Sequence, residues 1–371
     1  MVQRTDVFVI GGGPAGLAAA IAARKKGFHV TVADGAEPPI DKACGEGLLP
    51  DGAAALRELR VIVHPNESSA LRGIRFVGTD NEIGAQFPHG GMGIGMRREA
   101  LHQRLVDRAE AMGVSLLWRT PVTGISSDAV FAKNEMFRVR WIVGADGIGS
   151  RVRRWSGLDV GEGVRKRFAQ RRHYRVRPWS DSVEIHWGEK AQAYVTPVAE
   201  EEVGVVMISR DSSVGLAAMP TEFPRLAKKL RGPEAVLGVD RGAVTMTRRL
   251  PRVFRGNVVL IGDASGSVDA ITGEGLCLGF RQALALGEAL EVGDLGRYAA
   301  AHRRLSRLPA MMGRLMLVLD GRTRLRERAI RALASDADVF ARLLAIHVGV
   351  KSSAHHLASA GAMLGWRFVG A

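Results

Sequence analysis

Three glycine-rich segments, far apart in the chain, carry the residues whose types and spacing suit nucleotide chemistry. They cover positions 7–16, 142–153 and 258–275. In the first, an apolar run ends at a triplet of glycines, and a helical pattern follows at once. Glycines at a strand-to-helix turn let the backbone approach a pyrophosphate, and the free N–H groups of the helix N-terminus favour its negative charge. This segment therefore predicts a dinucleotide-binding turn.

The role of each residue in that turn follows from its place. Gly11 permits the tight turn, Gly13 lets the backbone approach the pyrophosphate, and Gly16 lets the helix pack closely on the strand. Pro14 and Ala15 open the helix beside them. The next apolar run, at 28–33, ends at Asp34, about where an acidic side chain accepts hydrogen bonds from an adenosine ribose.

The other two segments extend the prediction from a nucleotide to a flavin. The second contains Asp146 and Gly147, and the third contains Gly262 and Asp263 before it runs on to the stretch 273–276. Any one segment alone is a modest signal. The order and separation of all three indicate an FAD-dependent oxidoreductase whose FAD-binding domain is assembled from separated parts of the chain.

The sequence between these segments predicts an α/β fold with a second layer. Alternating runs rich in valine and isoleucine indicate an antiparallel sheet that could form the floor of a substrate cavity, and helical patterns dominate from about residue 277. We expect a discontinuous Rossmann-like FAD-binding domain at 1–72, 97–164 and 255–300. Substrate-domain strands are expected at 73–96, an antiparallel substrate domain at 165–254, and a C-terminal helical region at 301–371.

Composition is that of a globular enzyme. The 371 residues can hold two domains, and 46% hydrophobic with 24% charged residues is ordinary usage. The first strand starts almost at residue 1, which predicts no secretory leader. No apolar run approaches the roughly 20 residues of a membrane span. Two cysteines, Cys44 and Cys277, favour a reducing cytoplasm over a disulfide framework, and no cluster with ligand spacing predicts a metal.

The net charge of +14 admits three interpretations. Nucleic acid is disfavoured, because no recognition-helix motif is present and 6% aromatic residues offer few stacking platforms. Attraction to an anionic membrane surface, as a peripheral protein, or to an acidic substrate is a second interpretation. A solvated basic face is the simplest and the favoured one.

Taken together, the three segments resemble the flavoprotein class of aromatic hydroxylases with the para-hydroxybenzoate hydroxylase fold, over roughly residues 1–300. Within that class the chain looks closest to the branch that includes geranylgeranyl reductases. The resemblance implies that Asp263 binds the ribityl chain of FAD. It implies that Asp146 and Gly147 contact both FAD and NAD(P)H, and that Arg97 or Arg98 contacts FAD. The further cofactor-binding residues that it implies are Cys44, Gly45, Gly262, Gly273, Glu274, Gly275 and Leu276.

Two departures separate the chain from the hydroxylase pattern. That pattern has His after its Gly-Asp-Ala-Ala run and Pro four residues later, where this chain has Gly266 and Ala270. The Gly273-Glu274-Gly275 stretch and the Cys44-Gly45-Glu46-Gly47 loop resemble the reductase branch instead. Yet the aromatic substrate motif of the reductases is only partly present, since Tyr194-Val195-Thr196-Pro197 lacks its Trp.

Candidate reactive and substrate-contacting residues each have a simpler alternative. Cys44 is the candidate catalytic residue, because the matching loop lies near the flavin in the reductase branch, or it is a small residue in a tight turn. For Cys277 a packing role is favoured. His186, Trp187, Tyr194 and Pro197 are predicted to line a substrate pocket, although alternating aromatic residues in a sheet more often belong to a core.

These observations favour an NAD(P)H-dependent monooxygenase that uses O₂ to hydroxylate a hydrophobic, aromatic or polyketide-like small molecule. No second Rossmann fingerprint is present, so the nicotinamide is expected to dock transiently against the flavin. A reductase of C=C bonds in a prenyl or lipid chain is the first alternative. The second, from another class, is a flavin-binding maturation protein that modifies a partner protein through its basic surface.

Overall fold

The computed structural model describes residues 2–78, 81–160, 166–231 and 233–349. Within them the strands are, in chain order, β1 (Val2–Ile10), β2 (Val30–Ala33), β3 (Gly47–Leu48), β4 (Ser69–Leu71), β5 (Gly73–Val77), β6 (Glu82–Gln86), β7 (Gly93–Gly95), β8 (Ser115–Leu117), β9 (Val122–Ile125), β10 (Ala129–Ala132), β11 (Glu135–Gly144), β12 (Arg167–Tyr174), β13 (Ser182–Trp187), β14 (Ala191–Ala199), β15 (Glu202–Ser209), β16 (Val236–Thr245), β17 (Phe254–Arg255) and β18 (Val258–Leu260).

The helices of the same residues are, in chain order, α1 (Pro14–Lys25), α2 (Pro50–Glu58), α3 (Arg98–Ala111), α4 (Arg151–Trp155), α5 (Met219–Glu222), α6 (Pro224–Lys229), α7 (Gly275–Glu291), α8 (Leu295–Asp320), α9 (Thr323–Ala334) and α10 (Ala337–His347).

An eight-stranded sheet forms the nucleotide-binding layer. Its main path runs β17-β18-β11-β1-β2-β8, and the five strands from β18 to β8 are parallel to one another, whereas β17 is antiparallel to β18. The central strand β1 is apolar on both faces because both are covered. Val7 and Val9 pack in the core under α1, while Phe8 and Ile10 pack in a second core with Phe137. The expected α/β fold class is confirmed.

A seven-stranded sheet lies beside this layer, in the order β16-β12-β15-β14-β13-β5-β6. Its neighbours are antiparallel except for β13 and β5, which are parallel. Side chains alternate between its two faces. Tyr194 and Val206 lie on one face, whereas Ala193 and Val205 lie on the other, in a core that also contains residues of α5 and α6. This alternation decides which residues can reach the site.

Helices α7 to α10 are the last elements of the described part of the chain. Helix α7 packs on α1 and on α8, and α10 packs on β6. Within the described residues, no helix is long and apolar enough to cross a membrane. The predicted helical region 301–371 is described as far as residue 349, and its last part lies outside the described residues.

Candidate active site

The three glycine segments meet around one cavity of about 680 Å³, at the carboxyl ends of the parallel strands. An open parallel sheet binds nucleotides at this edge. Most of the predicted cofactor residues line the cavity, namely Gly11, Gly13, Pro14, Ala15, Asp34, Cys44, Gly45, Arg98, Asp146, Gly147, Gly262, Asp263, Gly273, Gly275 and Leu276.

The first turn has the shape that its glycines predict. Gly11 has a φ of 112°, and a Cβ there would lie 2.5 Å from the carbonyl oxygen of Ala145. A Cβ on Gly16 would lie 1.9 Å from the Gly11 oxygen, so Gly16 lies behind the cavity wall and lets α1 approach the turn. Gly13 differs from both, because a Cβ there would meet nothing within 4 Å and would point into open space. Gly13 is also the N-cap of α1, and no side chain caps this helix.

Two acidic residues of the cavity wall also organise its loops. The Asp34 carboxylate accepts hydrogen bonds from the backbone N–H groups of Gly12, at 2.7 Å, and Ala36, at 2.8 Å. Asp146 accepts hydrogen bonds from the N–H groups of Arg151, at 2.6 Å, and Val152, at 3.1 Å. Asp146 therefore stabilises the start of α4, which the sequence did not predict. The predicted contacts of both residues with FAD remain predictions.

Asp263 follows Gly262, whose φ is 58° and whose N–H donates to the Gln282 side-chain oxygen at 2.9 Å. The Asp263 side chain is half-buried and lines the cavity. Among the described residues no hydrogen bond or ion pair engages its carboxylate, so both oxygens can accept bonds from a ligand hydroxyl group.

We expect Asp263→Ala to weaken FAD binding about 10- to 150-fold. A hydrogen bond to a charged group contributes roughly 1.5–3 kcal/mol, which corresponds to that range. Flavin titration of the refolded apoprotein measures the change, and Asp294→Ala, at the N-cap of α8, is the control because it lies outside the cavity. Unchanged affinity in folded Asp263→Ala would remove the ribityl role from this residue.

Arg98 faces the cavity and Arg97 does not. The Arg97 guanidinium pairs with the Glu202 carboxylate on β15, which holds it away from the cavity. The Nε atom of Arg98 is buried and has no hydrogen-bond partner among the described residues. Of the two arginines predicted to contact FAD, Arg98 is therefore the one that can contact a ligand in the cavity. Arg97 is engaged in an ion pair with Glu202.

The Cys44–Gly47 loop is fixed to the seven-stranded sheet by Glu46. This residue has a φ of 58° and is 3% exposed. Its carboxylate accepts hydrogen bonds from the Arg98 N–H at 2.9 Å and the Arg171 guanidinium at 3.0 Å, and it lies 2.7 Å from the His173 Nε2 atom. In addition, the Thr196 hydroxyl donates to the Gly45 oxygen at 2.7 Å. The loop, and with it Cys44, is thus held rigidly at the cavity.

A second carboxylate completes this cluster of buried charges. Asp41 accepts two hydrogen bonds from Arg171 at 2.8 Å and one from Arg241 at 2.8 Å. Burial would raise the pKa of Asp41, but the hydrogen bonds of the two arginines outweigh burial and hold its pKa below the usual value. We refer to Asp41, Glu46, Arg171 and His173 as the loop clamp. Sequence reasoning missed it because its two halves, at 41–46 and 171–173, lie 125 to 130 positions apart.

Three of the four predicted pocket residues do not reach the cavity. Tyr194 does, and its hydroxyl donates to the Ile271 oxygen at 2.7 Å. His186 lies on the opposite face of the sheet, where it contacts Glu184 at 3.0 Å. Pro197 also lies on that face, with its carbonyl against Gly95. Trp187 shares the face of Tyr194 but packs on Phe76 and Arg326 beyond the cavity.

Strand geometry explains why the four predicted residues do not all face the cavity. Adjacent residues of a strand point to opposite faces, so a run of four candidates on two strands cannot all point one way. The cavity face is instead supplied by Ala169, Val206, Ile208 and Ala243, which sequence reasoning did not single out. Their small or aliphatic side chains give the cavity an apolar wall opposite the glycine segments.

Glu274 is also turned away from the cavity. It is 4% exposed, and burial, helped by nearby Asp51, raises its pKa to about 8. Its Oε2 atom lies 3.7 Å from the Nδ1 atom of His347 on α10. Burial lowers the pKa of His347 to about 4. Glu274 is therefore a neutral acid buried behind the turn and does not line the cavity. Its predicted contact with FAD stays a prediction.

This buried acid predicts a fall in stability above neutral pH. Because the folded-state pKa of Glu274 lies above 4.5, its ordinary value, unfolding releases the proton and stability falls as pH rises from 4.5 to 8. The lowered pKa of His347 has the opposite effect between 4 and 6.5, so Glu274 dominates only above pH 6.5. We expect the free energy of unfolding to fall by about 1 kcal/mol from pH 6.5 to 8, because Glu274 is half-ionised in the folded state at pH 8 and the unfolded-state titration of His347 and His302 still opposes the fall.

Urea denaturation of wild type and Glu274→Gln at both pH values measures this effect. The glutamine has the shape of the protonated acid and does not titrate, so the fall should vanish in the variant. Glu288→Gln, an exposed residue of α7, should keep it. An equal pH dependence in wild type and Glu274→Gln would show that the carboxyl group titrates normally.

Cys277 has the packing role expected of it. It is fully buried, its sulfur accepts the Leu49 N–H at 3.3 Å, and a Cβ on Gly52 would lie 2.3 Å from that sulfur. Burial raises the pKa of its thiol well above the usual value. The thiol is therefore protonated and closely packed between α2 and α7.

The fold and the cavity together define a flavoprotein oxidoreductase. Four features of the cavity fit FAD. The glycine turn at the uncapped N-terminus of α1 and the unpartnered Nε atom of Arg98 suit the pyrophosphate, Asp34 after β2 suits the ribose, and the free carboxylate of Asp263 suits the ribityl chain. The family model described as the FAD binding domain matches residues 4–293. The chain belongs to this family.

Reductases are among its similar proteins. The menaquinone reductase of Mycobacterium tuberculosis (strain ATCC 25618 / H37Rv) is 29% identical over 323 residues, which cover 79% of this chain and 78% of the relative. The digeranylgeranylglycerophospholipid reductase 1 of Methanopyrus kandleri is 30% identical over 297 residues, covering 73% and 76%. The resemblance to the geranylgeranyl reductase branch is thereby confirmed.

Solved structures show the same fold. A flavoprotein/dehydrogenase from Cytophaga hutchinsonii superposes with a TM-score of 0.82 at 20% identity, covering 97% of this chain and 99% of the other. The 2-methyl-3-hydroxypyridine-5-carboxylic acid oxygenase superposes with a TM-score of 0.73 at 23% identity, covering 94% and 96%. These similarities extend the fold resemblance to flavin monooxygenases. The protein is an FAD-dependent oxidoreductase.

Proposed function

We propose that this protein reduces C=C bonds in a long apolar chain, of the isoprenoid type, carried by a quinone or a lipid. The observation that carries the proposal is that Cys44, on a loop fixed by Glu46, lines the same cavity as an apolar sheet face. The two reductase relatives support it. The hydroxylase favoured from the sequence uses the same fold and remains the second candidate, because the same apolar wall would exclude water from an oxygen reaction.

Saturating a C=C bond adds one hydride and one proton. FAD, when bound, would supply the hydride after accepting one from NAD(P)H. The chain would provide the proton, and we assign Cys44 as its donor, with an S–H group that would give the proton and recover it from solvent. Ala169, Val206, Ile208 and Ala243 would bind the apolar substrate and keep water away from the flavin.

NAD(P)H would use the same cavity. The glycine-rich stretch at 91–95 forms a turn and strand β7, which pairs with β3 and β4, so it is not a phosphate-binding turn. A transient approach to the flavin from the open side of the cavity, past Asp146 and Gly147, accounts for reduction without a second nucleotide domain.

A single-turnover experiment separates the two candidate reactions. The bound FAD is reduced with dithionite under anaerobic conditions and mixed with a menaquinone or with a geranylgeranyl phospholipid. A reductase reoxidises its flavin and, without O₂, yields a product that keeps two added hydrogen atoms in its apolar chain after any quinol has been oxidised back to the quinone. A hydroxylase yields product only after O₂ is admitted, with one oxygen atom added. The second outcome would overturn the reductase proposal.

Cys44→Ala should lower product formation more than tenfold while NAD(P)H still reduces the flavin. The loss corresponds to more than about 1.4 kcal/mol of barrier, because the variant lacks the proton donor. Cys44→Ser keeps an O–H donor and should retain more activity than the alanine variant. Stopped-flow flavin reduction and product analysis measure the two steps separately. Less than a tenfold loss in both variants would assign Cys44 to packing of the turn.

A further inference from the structure

Helix α8 presents an apolar strip to solvent, which is unusual for a helix on a protein surface. Met311, Leu315 and Val318 are 41%, 45% and 46% exposed. Their spacing of four and three residues places them on one face of the helix. The opposite face is buried, through Pro309, Gly313 and Met316.

Arginine side chains flank this strip on the same face. Arg304, Arg307 and Arg314 are exposed, they stand at helical spacing from Met311, and none of them forms an ion pair among the residues that the structure describes. The only acidic residue of α8 is Asp320, and it accepts hydrogen bonds from Arg210 at 2.8 Å and Gln192 at 3.0 Å. The face is therefore cationic and apolar, and α8 itself supplies no carboxylate that compensates its charge.

The inner face of α8 contacts the wall of the FAD cavity. A Cβ on Gly313 would lie 3.1 Å from Val268 and 3.4 Å from Thr272. Val268 and its neighbour Ala270 line the cavity. A helix with its side chains is about 10 Å across. The exposed strip thus lies about one helix diameter from the cavity wall.

We propose that this face of α8 binds the surface of an anionic phospholipid bilayer. Exposed aliphatic side chains bordered by arginine are the pattern of an interfacial helix, in which the apolar residues enter the headgroup boundary and the cations attract anionic lipids. The chain after residue 349 carries no Asp or Glu, so it offers no charge complement to this face. The proposal rests on the proposed function in one respect, since a substrate with a long apolar chain would be drawn from the bilayer.

Sedimentation of the FAD-loaded protein with vesicles tests the proposal. The wild type should bind vesicles of phosphatidylcholine mixed with phosphatidylglycerol, should release them as NaCl rises, and should bind pure phosphatidylcholine weakly. Each arginine near an anionic surface contributes about fivefold, so Arg304→Gln/Arg307→Gln/Arg314→Gln should lose on the order of 100-fold in affinity. Met311→Ser/Leu315→Ser/Val318→Ser should also weaken binding, at unchanged net charge.

The matched control is Arg4→Gln/Arg57→Gln/Arg225→Gln, which removes the same charge from exposed positions on three other elements. The control should keep most of the affinity. An equal loss in both triple variants would show non-specific attraction by a basic protein. Absence of wild-type binding, or a concentration-dependent dimer that the α8 variants abolish, would also overturn the proposal. Reduction of detergent-solubilised substrate is measured in parallel, so a failure of docking is distinguishable from a failure of the proposed function.

Discussion

Purified Gly13→Val protein is expected to fold and to contain almost no FAD. The backbone of Gly13 has a φ of −71°, which valine adopts, and a Cβ there would meet no protein atom within 4 Å. The added side chain would instead enter the space predicted for the pyrophosphate. Replacing glycine at an N-cap costs helix stability only modestly, by about 1 kcal/mol. The ratio of flavin to protein absorbance and the midpoint of urea unfolding for the apoprotein measure the two effects.

Gly124→Val is the control for this substitution. Gly124 lies in β9, outside the cavity lining, and a Cβ there would lie 3.9 Å from its nearest neighbour, Phe131. This variant should fold and retain FAD. Full flavin occupancy in Gly13→Val would place the pyrophosphate elsewhere and would contradict the assignment of the first glycine segment.

Glu46→Ala should destabilise the protein by about 3–5 kcal/mol and should weaken the placement of Cys44. Removing one partner of a buried ion pair leaves the remaining charge without compensation. In the loop clamp, Arg171 would keep Asp41 but His173 would lose its carboxylate partner. Urea unfolding measures the stability, and the rate of product formation relative to flavin reduction reports on the loop.

Two comparisons make this result specific. Glu46→Gly should be less harmful than Glu46→Ala by about 1 kcal/mol, because the φ of 58° is strained for every residue except glycine. Glu82→Ala breaks the exposed pair of Glu82 with Arg75, at 2.8 Å, and should cost less than about 1 kcal/mol. If Glu46→Ala costs no more than Glu82→Ala, the loop clamp does not hold the loop.

The sequence predicted the parts of the site that are local in the chain. Gly11, Gly13 and Gly16 belong to one strand-turn-helix unit, so their spacing alone indicated their geometry. The loop clamp is different, because Glu46 meets Arg171 and His173 only after the loop before β3 has packed on β12. No periodicity within the chain encodes such a contact.

The predictions that failed were those that required the orientation of a side chain relative to the cavity. His186 and Tyr194 both stand in alternating strands, but the sequence does not state which face of the sheet points to the cavity. A shift of one residue reverses the answer. Glu274 belongs to a cavity-lining turn, as predicted, yet its side chain points into the protein, where burial keeps it protonated. Motif membership fixed the backbone of this turn but not the orientation of its side chain.

The position of β1 in the middle of its sheet has a consequence for biosynthesis. β1 pairs with β2 on one side, whereas its partner on the other side, β11, is made about a hundred residues later. At about 5–20 residues per second, a ribosome needs roughly 5–20 s to supply that partner. During this interval the nascent chain exposes an apolar strand edge, which is prone to aggregation. A lower growth temperature of the expression host, or co-expressed chaperones, should therefore raise the yield of recombinant protein more than added flavin does.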